Sequence, residues 1–233
     1  MKIIYRISDS GYNKIKPSYI NNENCLKNFC DVFRNHINDI TIIADNCSES
    51  TLYMIQKYIN SINIEKVSVG HGAGTFNIAL SKSLEYPDDE IVYFVENDYL
   101  HKQGADFILM QSFEVINPSY VTLYDHPDKY MPNNLGGNAF VEEDGGEVTK
   151  VYCSGNCHWK LTNSTTMTFA ARVRTLKEDE SVFKKWTLKS YPEDFQIFLE
   201  LRDKGRTLIS SIPGYSTHGE TAWLSPLTDW SNI

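Results

Sequence analysis

The residues with the clearest chemical potential close an apolar run. Ile91-Val92-Tyr93-Phe94-Val95 is followed at once by Glu96-Asn97-Asp98. Five apolar residues in succession predict a strand buried on both faces. Tyr86-Pro87-Asp88-Asp89, just ahead, is a turn signal. In an extended chain, residues two apart point to the same side. Glu96 and Asp98 are therefore expected together at the carboxyl end of a central strand, where open α/β sheets place their ligands. Two adjacent carboxylates repel unless a cation lies between them. The pair is a candidate metal site or, more simply, an acid-rich solvated loop.

A second acidic pair lies late in the chain. Tyr191-Pro192-Glu193-Asp194 leads into Phe195, Phe198, Leu199 and Leu201, one apolar face of a helix that Gly205 ends. Glu193 and Asp194 fall in its first turn, where the helix dipole alone favours acids.

The elements that must position these acids follow an alternating pattern. Lys2 to Ile7 reads as a strand, and the loop after it offers Arg6 and Ser8 to a base or phosphate; Arg6 equally suits a half-exposed strand position. Glu23 to His36 has helical spacing. Ile40 to Ala44 is a second buried strand ending in Asp45. Asp45 can accept from a ribose hydroxyl or base N–H, or cap the helix Thr51 to Ile59, a task Ser48 can also perform. Ile64 to Val69 is a third strand. Gly70-His71-Gly72-Ala73-Gly74 then opens a helix, Thr75 to Leu84. Such a turn can bring backbone N–H groups, Gly72 among them, up to an anion, or can simply be tight. Strands alternating with helices predict a parallel sheet with right-handed crossovers.

The second half is more mixed. Gly104 to Ile116 reads as a helix and Tyr120 to Tyr124 as a strand. Asp125-His126-Pro127-Asp128-Lys129-Tyr130 at its end suits a sugar, with rings for C–H faces and polar groups for hydroxyls, or is a capping loop. Asp144-Gly145-Gly146 predicts a hairpin turn before a strand, Glu147 to Cys153. His158 to Phe169 reads as one further strand and Leu176 to Leu188 as a helix anchored by Trp186.

Taken in order, these pieces resemble the GT-A fold of glycosyltransferases, inverting and family-2-like, of a small bacterial or viral type. The resemblance runs from the first strand to about His218. Glu96-Asn97-Asp98 is similar to the family's DxD motif, with Glu in place of the first Asp. Gly70, Gly74 and Asn77 match the Gly-rich turn and Asn-bearing helix before that strand. Glu193-Asp194, helix, Lys204-Gly205, strand, Pro213 and His218 resemble the late Glu-Asp motif. The resemblance implies an α/β, Rossmann-like single domain over 1–233. Its sheet would be mostly parallel with a mixed, antiparallel carboxyl-terminal half. Residues 1–100 would hold the nucleotide and 101–233 the acceptor. It implies transfer of a sugar from a nucleotide-sugar to a glycan or other hydroxyl acceptor with inversion. Asp194, paired with Glu193, would be the general base. Asp98 and His218 would hold Mn2+ or Mg2+. Arg6, Ser8, Asp45, Gly72, Asn77, Glu96 and Asn97 would contact the donor, and Asp125 and His126 the acceptor. An Asp after the second strand suits the N3–H of uracil, so UDP is the expected carrier, with GDP the next choice.

Composition narrows the alternatives. The chain has 233 residues, 41% hydrophobic and 22% charged, which fits a globular domain rather than a disordered one. A formal charge of −8 argues against nucleic acid or anionic lipid as partner. No stretch approaches the ~20 apolar residues of a membrane span. The start carries no secretory pattern, and five cysteines without framework spacing fit a reducing cytoplasm. Cys153, Cys157 and His158 lack a second ligand pair with finger-like spacing. Two other classes fit the same residues. A sugar-phosphate nucleotidyltransferase uses similar sheet-and-metal logic, of which Ser8 to Lys14 is a faint echo. A carbohydrate-binding module would use only the aromatics.

Overall fold

The computed structural model describes residues 1–11, 14–141 and 145–233. Asp144 of the expected hairpin turn, and Tyr12 and Asn13 of the loop after the first strand, lie outside them. Parallel strands β1 (Lys2–Ser8), β2 (Ile40–Asp45), β3 (Ile64–Val67) and β4 (Ile91–Glu96) form the amino-terminal half of one sheet. The other half contains β6 (Tyr120–Thr122), β7 (Val151–Cys153), β8 (His158–Leu161), β9 (Phe169–Arg172) and β10 (Leu208–Ile212). The order is β3-β2-β1-β4-β9-β6-β10-β8-β7. β9 runs antiparallel between β4 and β6, and β8 and β7 add an antiparallel edge. A separate ribbon pairs β5 (Tyr99–His101) with β11 (Ser216–His218).

Helices cover both faces because each strand alternates its side chains. Ile3, Tyr5, Ile42, Tyr93 and Val95 pack with Leu26 and Phe29 of α1 (Asn22–Val32), Leu52 of α2 (Glu49–Gln56) and Leu109 of α4 (Ala105–Val115). Ile4, Ile43, Val92, Phe94 and Phe169 pack with Phe76 of α3 (Gly72–Ser83), Phe183 of α5 (Val173–Trp186) and Phe198 of α6 (Asp194–Asp203). No described helix is long and apolar enough to cross a membrane.

The expected strand from His158 to Phe169 is two strands. Thr162, Asn163, Ser164, Thr165 and Thr168 between them are all buried. Their short polar side chains bond interior groups instead of extending a ladder: Asn163 and Ser164 receive Lys129, and Thr165 meets Thr122. The strand expected from Glu147 begins only at Val151. Trp186 packs beside the second core at partial burial, with its indole N–H donated to Glu200.

Candidate functional site

The carboxyl ends of β1, β2 and β4 open into a cleft of about 670 Å³. Arg6, Ser8, Asp45, Gly72, Glu96, Asn97, Asp98, Asp194 and His218 line it. Asp98 and Asp194, 96 positions apart in sequence, thus share one cavity.

The acid pair is built by strand register and then by a turn. β4 ends at Glu96, which is the register partner of Arg6 on β1. The Arg6 guanidinium is buried, 3.3 Å from the Glu96 carboxylate, and also donates to the carbonyls of Gly72 and Met167. Asn97 and Asp98 form the turn into β5. The two-residue alternation therefore stops at Glu96, and each acid has its own cation. The Asp98 carboxylate lies 2.9 Å from Lys16 Nζ and 3.4 Å from His218 Nε2. His218 arrives there because β11 pairs with β5 in a register that sets His218 against Tyr99. The chain then leaves through Gly219, where an added Cβ would lie 2.7 Å from the Asp98 carbonyl oxygen. Asn97 braces the turn by donating to the Ser8 carbonyl and to Asn22.

Burial alone would raise the Asp98 pKa. The bonded His218 ring and the Lys16 ammonium override that and hold its carboxyl well below the usual carboxylate range. Asp194 behaves in the opposite way. It opens α6, and its nearest bonding partner is the N–H of Phe195 at 2.7 Å. Burial pushes its pKa up to about 6; the Phe195 N–H opposes this, Glu96 adds to it, and Lys14 and His218 oppose it. The cleft thus holds one carboxyl that stays charged and one that takes up a proton near pH 6. Environments that push two acids apart in this way are a mark of acid–base sites.

Asp45, expected at the nucleotide, is held by backbone. Both Asp45 carboxylate oxygens accept from the N–H of Gly70, and one also accepts from Val69. Gly70 has φ +81°, a left-handed conformation that favours glycine. Ser48 caps α2 by accepting from the Thr51 N–H, so Asp45 braces the glycine turn instead. The turn presents Gly72 and the amino end of α3 to the cleft.

Four expected site residues do not line the cleft. Asn77 accepts from Thr187 Oγ1 at 2.9 Å on another face of α3. Glu193 pairs with Lys189 at 2.6 Å. Asp125 is fully buried, bound to Lys160 at 2.9 Å and to the Tyr130 hydroxyl. His126 pairs with Asp128 and packs between Tyr124 and Trp223. Sequence reasoning passed over Lys14, Lys16, Thr166, Met167 and Tyr191, all of which line the cleft. Two lysines in a loop leaving a strand end that faces an acid pair were the available signal.

No protein-family model and no curated sequence matches this chain. Solved structures do. The crystal structure of GalNAc-T7 with UDP, GalNAc and Mn2+ superposes with a TM-score of 0.60 at 11% identity, over 93% of this chain and 42% of that one. That of S. aureus TarS 1–349 with UDP-GlcNAc gives 0.50 at 14%, over 93% and 58%. That of CMP:2-keto-3-deoxy-manno-octonic acid synthetase with CTP gives 0.51 at 11%, over 95% and 93%. The chain therefore spans about two-fifths to three-fifths of the first two proteins. At these identities the likeness establishes the fold, which is that of the GT-A glycosyltransferases.

Proposed function

We propose that this chain transfers a sugar from a nucleoside-diphosphate sugar, UDP-linked, to a hydroxyl acceptor with inversion at the anomeric carbon. The observation that carries the reading is the sharing of one cleft by Asp98, held charged, and Asp194, with a pKa of about 6. Residues 1–100 supply Arg6, Ser8, Asp45, Gly72, Glu96 and Asn97 to the donor. Residues 101–233 supply Asp194 and His218 and face the acceptor.

Asp98 and His218 suit a divalent ion in part. Their donor atoms, 3.4 Å apart, are spaced as neighbouring ligands, and a carboxylate with an imidazole suits Mn2+ or Mg2+. The described residues contain no group of three or more His, Cys, Asp or Glu able to hold a metal. Phosphate oxygens and water would complete the shell, as is common for Mg2+-type sites. When bound, such an ion supplies positive charge to the departing diphosphate. The chain's own residues do the rest. Arg6 keeps Glu96 neutralised beside the donor, Asp45 fixes the glycine turn under the nucleotide, and Asp194 accepts the proton of the attacking hydroxyl. Attack from the side opposite the leaving group inverts the centre. Glu193, already paired with Lys189, anchors the start of α6 and thereby orients Asp194.

A thermal-shift panel tests this directly. UDP-sugars with Mn2+ are expected to raise Tm more than either component alone, since a ligand binding only the folded state stabilises it by mass action. No shift with any nucleotide-sugar would overturn the reading. Nucleotidyl transfer is the rival that the same cleft would serve, and it is separated by its products: pyrophosphate instead of nucleoside diphosphate.

A further inference from the structure

Asp98 already has a cation, and a second ammonium stands beside His218. Lys16 Nζ lies 2.9 Å from Asp98 Oδ2, the same oxygen that stands 3.4 Å from His218 Nε2. Lys14 Nζ lies 3.2 Å from that His218 nitrogen and 3.6 Å from Glu220. Both lysines come from the strap between β1 and α1. The Ile15 carbonyl of this strap accepts from the N–H of Thr221 at 2.9 Å. Strap and post-β11 segment are thus joined beside the cleft, and each ammonium rests on one of the two atoms suited to an ion.

An ammonium and a divalent ion cannot share one carboxylate oxygen without strong repulsion. An ammonium is also a donor only, so it cannot enter a metal's coordination shell. An ion that takes Oδ2, the oxygen turned to His218, therefore displaces Lys16. The displacement is feasible, because the Lys16 side chain is 31% exposed on a flexible four-carbon stem. The displaced ammonium then sits beside the place where phosphate oxygens would complete the ion's shell.

We propose that Lys16 is an exchangeable counter-cation: it neutralises Asp98 when no ion is bound and, joined by Lys14 from its place beside His218, passes to the donor's phosphates when a divalent ion takes the Asp98 and His218 atoms. The inference rests on the donor reading above and adds a coupling to it. An ion alone must evict the ammonium without compensation. An ion arriving with a diphosphate gives the lysines new partners, so ion and nucleotide favour each other's binding.

Calorimetric titration of the full chain with Mn2+ alone, and with UDP at saturating Mn2+, tests this with Lys16→Met and Lys16→Arg. Losing one charge-assisted hydrogen bond is worth roughly tenfold or more in affinity. Lys16→Met is expected to bind Mn2+ alone about tenfold tighter and UDP about tenfold weaker. Lys16→Arg, which keeps the charge, should stay near wild type on both. The Mn2+ arm decides the exchange: tighter binding upholds it, and unchanged or weaker binding overturns it. A lysine that merely supported the fold would weaken both ligands, which also overturns it. Failure of wild type and both variants to bind UDP or GDP, with Mn2+ still tightened by Lys16→Met, would sink the donor reading and the transfer to phosphate, and uphold only the displacement of Lys16 by the ion.

Discussion

Replacing Asp194 with Asn is expected to cut turnover by ~10²–10⁴-fold, the usual worth of a positioned general base, while donor affinity stays close to wild type. Asn keeps the shape and the bond to the Phe195 N–H but cannot accept the proton of an attacking hydroxyl. The pH profile carries the same claim. With a pKa of about 6, Asp194 is protonated and idle below that pH, so kcat/KM of the wild type should climb through about 6 and level off above it. Stability moves the other way. The folded-state pKa lies above the ordinary aspartate value of 3.8, so the folded chain binds more protons than the unfolded one between the two values. This contribution is most favourable below about 4 and is lost as pH climbs through about 6. Asn never charges, so Asp194→Asn should be more stable than wild type at pH 7.5, by on the order of 1–2 kcal/mol after allowance for its partly solvated face, with little difference at pH 4. Equal loss of donor binding and turnover would remove Asp194 from the role of base.

Replacing Asp98 with Asn should do the reverse and strike binding first. Asn retains an acceptor oxygen but removes the charge that Lys16 and His218 face. If Asp98 holds the ion, losing its charge leaves a desolvated cation short of one partner, which costs ~2–5 kcal/mol, or roughly 30-fold to several thousandfold in affinity. Mn2+-dependent donor affinity should fall by about that factor. In the wild type, EDTA should abolish activity and added Mn2+ should restore it. Turnover that persists in EDTA would contradict the metal role of Asp98. Together the two variants divide the cleft into a part that grips the leaving group and a part that faces the incoming alcohol.

How far the sequence disclosed this arrangement depended on how local each cause was. β1 to β4 were legible because buried parallel strands are continuous apolar runs and each is punctuated by a polar loop. Asp98 was legible for the same reason, since it follows the longest such run. The β5–β11 ribbon was not, because strands of three residues carry no periodicity. Yet that ribbon brings His218 to Asp98. Asp45 was read as a capping or nucleotide residue; it lines the cleft, and its carboxylate also holds the backbone of Gly70, 25 residues on, a contact no local pattern shows. Asp125 was read as a sugar contact or part of a capping loop. Its burial depends on Lys160, which reaches it from β8 across a fold that no local pattern announces. Lys14 entered only as the end of a faint nucleotidyltransferase-like echo and Lys16 not at all, because only the return of the chain at residues 216–221 shows what they face.

The claim on which all of this rests is that the reaction breaks the bond between a sugar and a nucleoside diphosphate inside this cleft. Phosphorus NMR of the full chain with UDP-sugar, Mn2+ and a mixed pool of hydroxyl acceptors reads that bond directly. The account predicts growth of the UDP resonances, lost in Asp194→Asn. It would be contradicted by an unchanged donor spectrum across the pool, or by pyrophosphate appearing when UTP and a sugar 1-phosphate are supplied instead.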